Sequence, residues 1–343
     1  MKKLIRRTEF FLFLLLVALG LGFTLINPRF ATVANLLDLI KSYSFFGILS
    51  VGVLVVLLSG GIDISFTAIA QVAEYVTVSW ILAYGGNLGT ALLVGCSVGT
   101  VLGIVNGLLI HFLRIPPIIA TIGTLNLYYG VLYVVSAGQI IYQVPEFYRT
   151  LSGATLPGNF PVLGLLWIGV VILAAWLLKY TVLGRSIYAL GGSQIAAVRV
   201  GFNIFATRLF VYAFMGFISG FASVVHTALV QSAIPNSIVG HELDVIAAVV
   251  LGGASIMGGS GSVLGTCLGV ALLALLGNGL TLIGMSSYWN NVMVGLVLLV
   301  GVTMSAVQRN LQAKRRVTNL DGAALMARPT HDQRGTSSGM PLA

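Results

Sequence analysis

Of the 343 residues, 57% are apolar and 8% are charged, against about 25% charged in an ordinary soluble domain. Nine acidic and 18 basic side chains are too few to coat a water-soluble globule of 36.1 kDa, and the mean hydropathy of +1.01 spreads apolar character over the whole length. A soluble enzyme is excluded, and so is an outer-membrane barrel, whose strands would alternate polarity over about 10 residues instead of running apolar for about 17 to 23. The chain reads as an all-α integral membrane protein.

The start, MKKLIRR followed by an apolar run over 10–26, has the charge of a signal peptide but a longer core and no A-x-A site. It is expected to remain as the first helix. Further apolar runs cover 43–59, 64–83, 88–110, 117–137, 162–178, 208–230, 243–257, 262–283 and 289–307, which makes ten spans and puts both ends on one side. With those ends in the cytoplasm, 15 of the 18 bases lie inside and only Arg29, Lys41 and Arg149 lie outside. Almost no loop separates 43–59 from 64–83 or 243–257 from 262–283. Their junctions, LSGGIDIS and LGGASIMGGSGS, are glycine-rich and read equally as tight hairpins or as helices broken within the membrane. Residues 1–308 form the membrane domain, and 309–343 turn polar and read as a cytoplasmic, disordered tail whose KRR run anchors topology.

Gly95, Gly99, Gly103 and Gly107 recur every four residues, as do Gly261, Gly265 and Gly269, and Gly216 with Gly220. Each set lines one helix face and lets a neighbouring backbone approach. Thr67, Gln71 and Glu74 form a polar stripe on the span 64–83, where a carboxylate needs a cavity or a partner. Asp63 lies at the start of that helix and can cap it, while Asn106, Thr121, Thr124 and Asn126 offer hydrogen bonds to a polyol or to neighbouring helices. These eight residues are the candidates for a solute path.

The loop 179–207 is the longest on the cytoplasmic side, and its centre, QIAAVRV, is helix-compatible and apolar on one side between Gly191, Gly192 and Gly201. A mere connection has no need of apolar residues facing water, so the segment reads as a docking surface for another protein. Catalysis is not expected. GGSG at 258–261 resembles the serine motif of intramembrane rhomboid proteases, but the only later histidine is His331 in the tail, and His226 precedes the serine. His111 and His241 lack metal-ligand spacing, Cys96 and Cys267 sit inside apolar runs, and no G-x-x-x-x-G-K-[ST] phosphate loop exists.

LSGGIDIS at 58–65, RIPPIIATIGTL at 114–125, GRSIYALGGSQIAAVRVG at 184–201 and ELDVIAAVVLGGASIMGGSGSVLGTCLG at 242–269 stand in an order and spacing that resemble the sugar-type permease subunits of bacterial binding-protein-dependent ABC importers, the ribose, galactose, xylose and autoinducer-2 group. The resemblance implies a type II importer fold and an inner-membrane location. It also implies a second permease subunit, two ATP-binding subunits that hold the ATP and Mg while this chain holds no cofactor, and a periplasmic solute-binding protein. By the same resemblance, Gly184, Arg185, Tyr188, Gly191, Gly192, Ala196, Ala197 and Gly201 belong to the element that couples to the ATPase. The family pattern continues GGIDIS with valine and glycine, whereas Phe66 and Thr67 stand here, followed by Gln71 and Glu74, so this span is expected to pack or select differently. A proton-coupled carrier using Glu74 is the rival expectation, and it has no use for the 184–201 loop.

Overall fold

The computed structural model describes residues 8–286 and, beyond them, 288, 289, 291–293, 295, 296 and 299. Helix α1 (Thr8–Ile26) leads through a 3-10 turn at Pro28–Ala31 into α2 (Val33–Ser42) and α3 (Ser44–Leu58), which meet at a 50° bend. Then come α4 (Phe66–Tyr84), α5 (Leu88–Leu113), α6 (Pro117–Ser136) and the short α7 (Glu146–Gly153). Two-residue strands β1 (Thr155–Leu156) and β2 (Phe160–Pro161) form a small antiparallel hairpin before α8 (Val162–Tyr180). Two short helices, α9 (Val182–Gly192) and α10 (Gln194–Arg199), precede α11 (Ile204–Val230), α12 (Glu242–Leu251) and α13 (Val263–Leu282).

Among the described residues seven helices are long and apolar enough to cross a membrane, or eight if the bent pair α2–α3 counts as one span. The expected run 243–257 is helical only over the ten residues of α12, which rise about 15 Å, half of a hydrocarbon core of about 30 Å. The glycines at 252, 253, 258, 259 and 261 satisfy a hydropathy pattern while ending the helix. The expected span 289–307 falls largely outside the described residues, and the tail 309–343 falls wholly outside them.

Local signals explain most boundaries. Asn87 and Thr90 form a reciprocal capping box at the start of α5, Pro117 opens α6 at a position that needs no backbone donor, and the Asn203 side chain accepts from Ala206 N–H at the start of α11. Of the seven long helices α11 and α4 are the most buried, with 72% and 61% of their apolar windows inside, and α11 packs against α4, α5 and the almost wholly buried α3. α1 lies outside, with Leu12 and Leu16 set against Leu272 and Leu276 of α13.

The glycine rows are the packing seams. A Cβ at Gly99 or Gly103 of α5 would overlap the carbonyl oxygen of Gly216 or Tyr212 on α11, and one at Gly265 or Gly269 of α13 would overlap that of Gly252 or Ala248 at α12. Where lipid removes any hydrophobic drive between helices, such backbone contact supplies dispersion attraction that a larger residue forfeits. Gly99→Val is therefore expected to cost at least about 1–3 kcal/mol by overpacking, read as a lower midpoint of thermal aggregation in detergent. Gly123→Val, at an open position on α6, should leave that midpoint unchanged.

Candidate functional site

The polar stripe of α4 faces inward and is buried, with Thr67, Gln71 and Glu74 each at most 1% exposed. Its partners come from the far end of the sequence. The Gln71 amide donates to the Ile234 carbonyl at 2.7 Å and accepts from the Ile238 N–H at 2.7 Å. The Thr67 hydroxyl donates to the Glu242 carboxylate, which also accepts from Gly240 N–H at 3.0 Å. Glu74 Oε2 accepts from His226 Nδ1–H of α11 at 2.5 Å, and the Phe45 ring lies 4.7 Å from the His226 ring. The non-helical stretch 231–241 thus runs down beside α4 until α12 begins at Glu242. Backbone inside a bilayer cannot turn to water, so each freed group needs a partner from the protein. Gln71 and Glu242 supply some of these partners, and the Ile141 backbone, which pairs with Ala233, supplies others.

The second cluster surrounds the GGIDIS junction. Asp63 Oδ1 accepts from the backbone N–H of Ser65 at 2.8 Å and from its hydroxyl at 2.6 Å. The Ser65 hydroxyl in turn accepts from Asn106 Nδ2 at 2.7 Å, and Asn106 Oδ1 accepts from the Tyr128 hydroxyl at 3.1 Å. The Thr121 hydroxyl joins the same turn, accepting from Ile64 N–H and donating to the Ile62 carbonyl, both at 3.3 Å. Asp63, Asn106 and Thr121 are therefore brought together, and what they bind here is the turn that starts α4. Thr124 is buried and donates to the Thr121 carbonyl, whereas exposed Asn126 donates to Ile122 of its own helix and stands apart.

The third cluster joins the loop 179–207 to the bundle. Gly191 lies so close to the end of α3 that a Cβ would overlap the Leu58 carbonyl oxygen. That oxygen accepts from Gly259 N–H at 3.0 Å. Gly60, Gly258 and Gly259, with φ of +79°, +92° and +72°, complete a node in which three glycine pairs distant in sequence touch backbone to backbone. The Tyr188 hydroxyl adds a bond to the Gly261 carbonyl at 3.1 Å, and Gly184 seats α9 on the last carbonyls of α8. On α10, Ala197 is buried while Ile195, Val198 and Val200 are 69%, 56% and 74% exposed. Ala196, Arg185 and Gly192 are exposed too, and Gly201 turns the chain away with φ +91°.

Sequence reasoning found the stripe but not its partners, because Gln71 and Ile234 are 163 residues apart and Glu74 and His226 are 152 apart. His226 was weighed only as a catalytic base, and Glu242 drew no attention at the edge of an apolar run. α9 was also missed, since its apolar spacing is interrupted by Gly184 and Arg185. Gln71→Leu leaves the buried Ile238 N–H without a partner, at about 1–3 kcal/mol, and takes from the Ile234 carbonyl its shortest bond while Ser237 still donates to it. The expected result is loss of folded protein from the membrane fraction at 37 °C with partial recovery at low temperature. Asn126→Leu should leave the amount of folded protein unaltered.

Residues 35–302 match the family model described as branched-chain amino acid transport system / permease component. The ribose import permease protein RbsC of Escherichia coli K12 is 36% identical over 296 residues, covering 84% of this chain and 90% of that protein. RbsC of Bacillus subtilis is 34% identical over 85% of this chain and 91% of its own, and the autoinducer 2 import system permease protein LsrC of Klebsiella pneumoniae is 33% identical over 87% and 86%. No solved structure matches the chain. With several helices able to cross a bilayer and permeases as its relatives, the protein is a multi-pass inner-membrane protein. The extent of these matches means that the chain belongs to the permease-component family of such transport systems.

Proposed function

We propose that the chain is the permease subunit of a binding-protein-dependent ABC importer that carries a small sugar or sugar-like solute, such as a pentose, a hexose or autoinducer-2. In this reading ten helices cross the membrane in a type II arrangement with both ends and the tail 309–343 in the cytoplasm. Two permeases pair with two ATP-binding subunits, which hold ATP and Mg, and receive solute from a periplasmic binding protein. The relatives named for ribose and autoinducer 2 import support the solute class.

The observation that carries the reading is the exposed apolar surface of α10 on a rigid mount. Ile195 and Val198 of α10 and Val200 just after it stand in the open, while the glycine node ties the end of α9, one residue before α10, to the end of α3 and to the 258–261 turn. A partner that grips those side chains moves the node as one body, because backbone packed on backbone has no side chain to absorb the displacement. From the node α3 leads to the α2–α3 bend, and the 258–261 turn leads through 252–257 to α12. ATP-driven motion then reaches the mid-membrane segments without any proton being carried. Glu74, buried and held by His226, has the environment of a structural carboxylate.

Ala196→Glu is expected to leave the permease folded and in the membrane but to lower uptake at least tenfold, because a carboxylate in an apolar contact must be desolvated without a partner. Co-purification of the ATP-binding subunit and uptake are both measured. Normal uptake with the ATPase still bound would remove this loop from the coupling route. Glu74→Gln keeps a hydrogen-bonding group against His226, so uptake into proteoliposomes should continue to follow internal ATP and to ignore an imposed pH gradient. Accumulation driven by the pH gradient in the original protein and abolished in Glu74→Gln would replace the importer with a proton-coupled carrier.

A further inference from the structure

Two adjoining cavities lie outside all three clusters, between the α2–α3 bend on one side and α12 with α13 on the other. The inner one measures about 170 Å³ and the outer about 470 Å³, and both are bordered by Tyr43 and His241. As one groove they fall in the range of about 300–1,000 Å³ usual for small-molecule sites. Val270 and Leu273 floor the inner part at the middle of α13, and Asn278 and Thr281 border the outer part near its end. The groove therefore leads from one end of a membrane-crossing helix to its midpoint. Both opposing walls are discontinuous helices, one bent 50° at Tyr43 and the other starting at Glu242, and solute sites of membrane carriers form beside such breaks.

We propose that this groove, and not the buried stripe of α4, is where the permease contacts its solute, and that it selects a neutral hydroxylated molecule over an amino acid. The assignment rests on the sugar-importer reading above. Its chemistry is that of a polyol site. Tyr43, Phe46 and His241 offer ring surface to the C–H face of a sugar, and the Phe46 and His241 rings brace one another at 5.6 Å. His241 Nδ1–H donates to Asp244 Oδ2 at 2.9 Å, which fixes the orientation of the ring and leaves Nε2 as its second hydrogen-bonding atom for a hydroxyl. The Asn278 amide is fixed by reciprocal 3.0 Å bonds with Asn35, which leave one N–H and one lone pair to use.

Charge argues against a carboxylate ligand. Asp38 and Asp244 line the groove, and none of its described lining residues is a lysine or arginine. The start of α12, which would otherwise attract an anion, already carries Glu242 and Asp244 in its first turn. A branched-chain amino acid would bring its own carboxylate against these groups, whereas a sugar brings donors that carboxylates accept.

The test uses the complete importer in proteoliposomes with its binding protein, offered D-ribose, D-xylose, D-galactose or L-leucine. Asp244→Asn weakens the bond that orients His241 and Tyr43→Leu removes ring surface from the groove, so the preference between two accumulated sugars, or the rate for the one accumulated, should shift about tenfold. A second readout needs neither variant. Thr281→Cys, in a chain whose Cys96 and Cys267 are replaced by alanine, should react with an impermeant maleimide more slowly while sugar is being delivered. Unchanged sugar preference in both variants with unaltered labelling would overturn the groove while leaving the importer standing, and unaltered labelling decides alone if the variants are absent from the membrane. Accumulation of L-leucine and of no sugar would overturn the importer's sugar reading and the groove's selectivity together.

Discussion

Every backbone N–H and C=O within a lipid bilayer must be paired inside the protein, and this permease breaks its helices where no water can help. α12 covers half of a crossing, α4 starts only after a seven-residue turn from α3, and 231–241 is irregular where it runs beside α4, with isolated turn bonds such as Ser237 N–H to the Ile234 carbonyl. The buried polar side chains are distributed to meet those breaks. Gln71 serves both a carbonyl and an N–H of the irregular segment, Glu242 takes the Gly240 N–H and the Thr67 hydroxyl, and Thr121 serves both sides of the 62–64 turn. In an uninterrupted bundle each of these groups would be a burden of about 1–3 kcal/mol if left unpaired. Here they let the interruptions exist.

Glycine solves the complementary problem of bringing main chains together. Along α5 and α11, and again along α13 and α12, it permits backbones to touch. At the node of Gly60, Gly191, Gly258 and Gly259 it lets three turns stack where any Cβ would collide with a neighbour's main chain. The two uses differ in consequence. The long seams hold the bundle together, while the node ties the end of α9, next to the exposed helix α10, to the end of α3 and to the 258–261 turn. A displacement imposed on α10 has no soft layer in which to disappear.

The spans at 10–26, 64–83, 88–110, 117–137, 162–178, 208–230 and 262–283 were legible because hydropathy and helix length report the same physical quantity, the thickness of apolar surface to be crossed. The run 243–257 misled for the same reason. Apart from Asp244 and Ser255 its residues are apolar or glycine, but hydropathy does not register that glycines at 252 and 253 end the helix after ten residues. The short helix α10 was legible as a local contradiction, apolar side chains in a loop beside water. The stripe was legible as another, a carboxylate and an amide in an apolar helix. What the stripe binds was not, since His226, Ile234, Ile238 and Glu242 are joined to it only by the fold. A lone polar residue in a span announces a partner without naming it.

The same breaks that make the stripe necessary also account for the groove. A straight α2–α3 would press Tyr43 and Phe46 against α12, and an α12 extended upward by helix would fill the volume beside α13 with its own turns. The 50° bend and the late start at Glu242 together leave that volume open and set His241 and Asp244 at its wall. The bonds from Gln71 and Thr67 fix where 231–241 delivers His241. α4 therefore acts on a solute indirectly: its polar residues hold the irregular segment 231–241 that positions the groove, and the groove supplies the rings, carboxylates and amides that a neutral sugar can use.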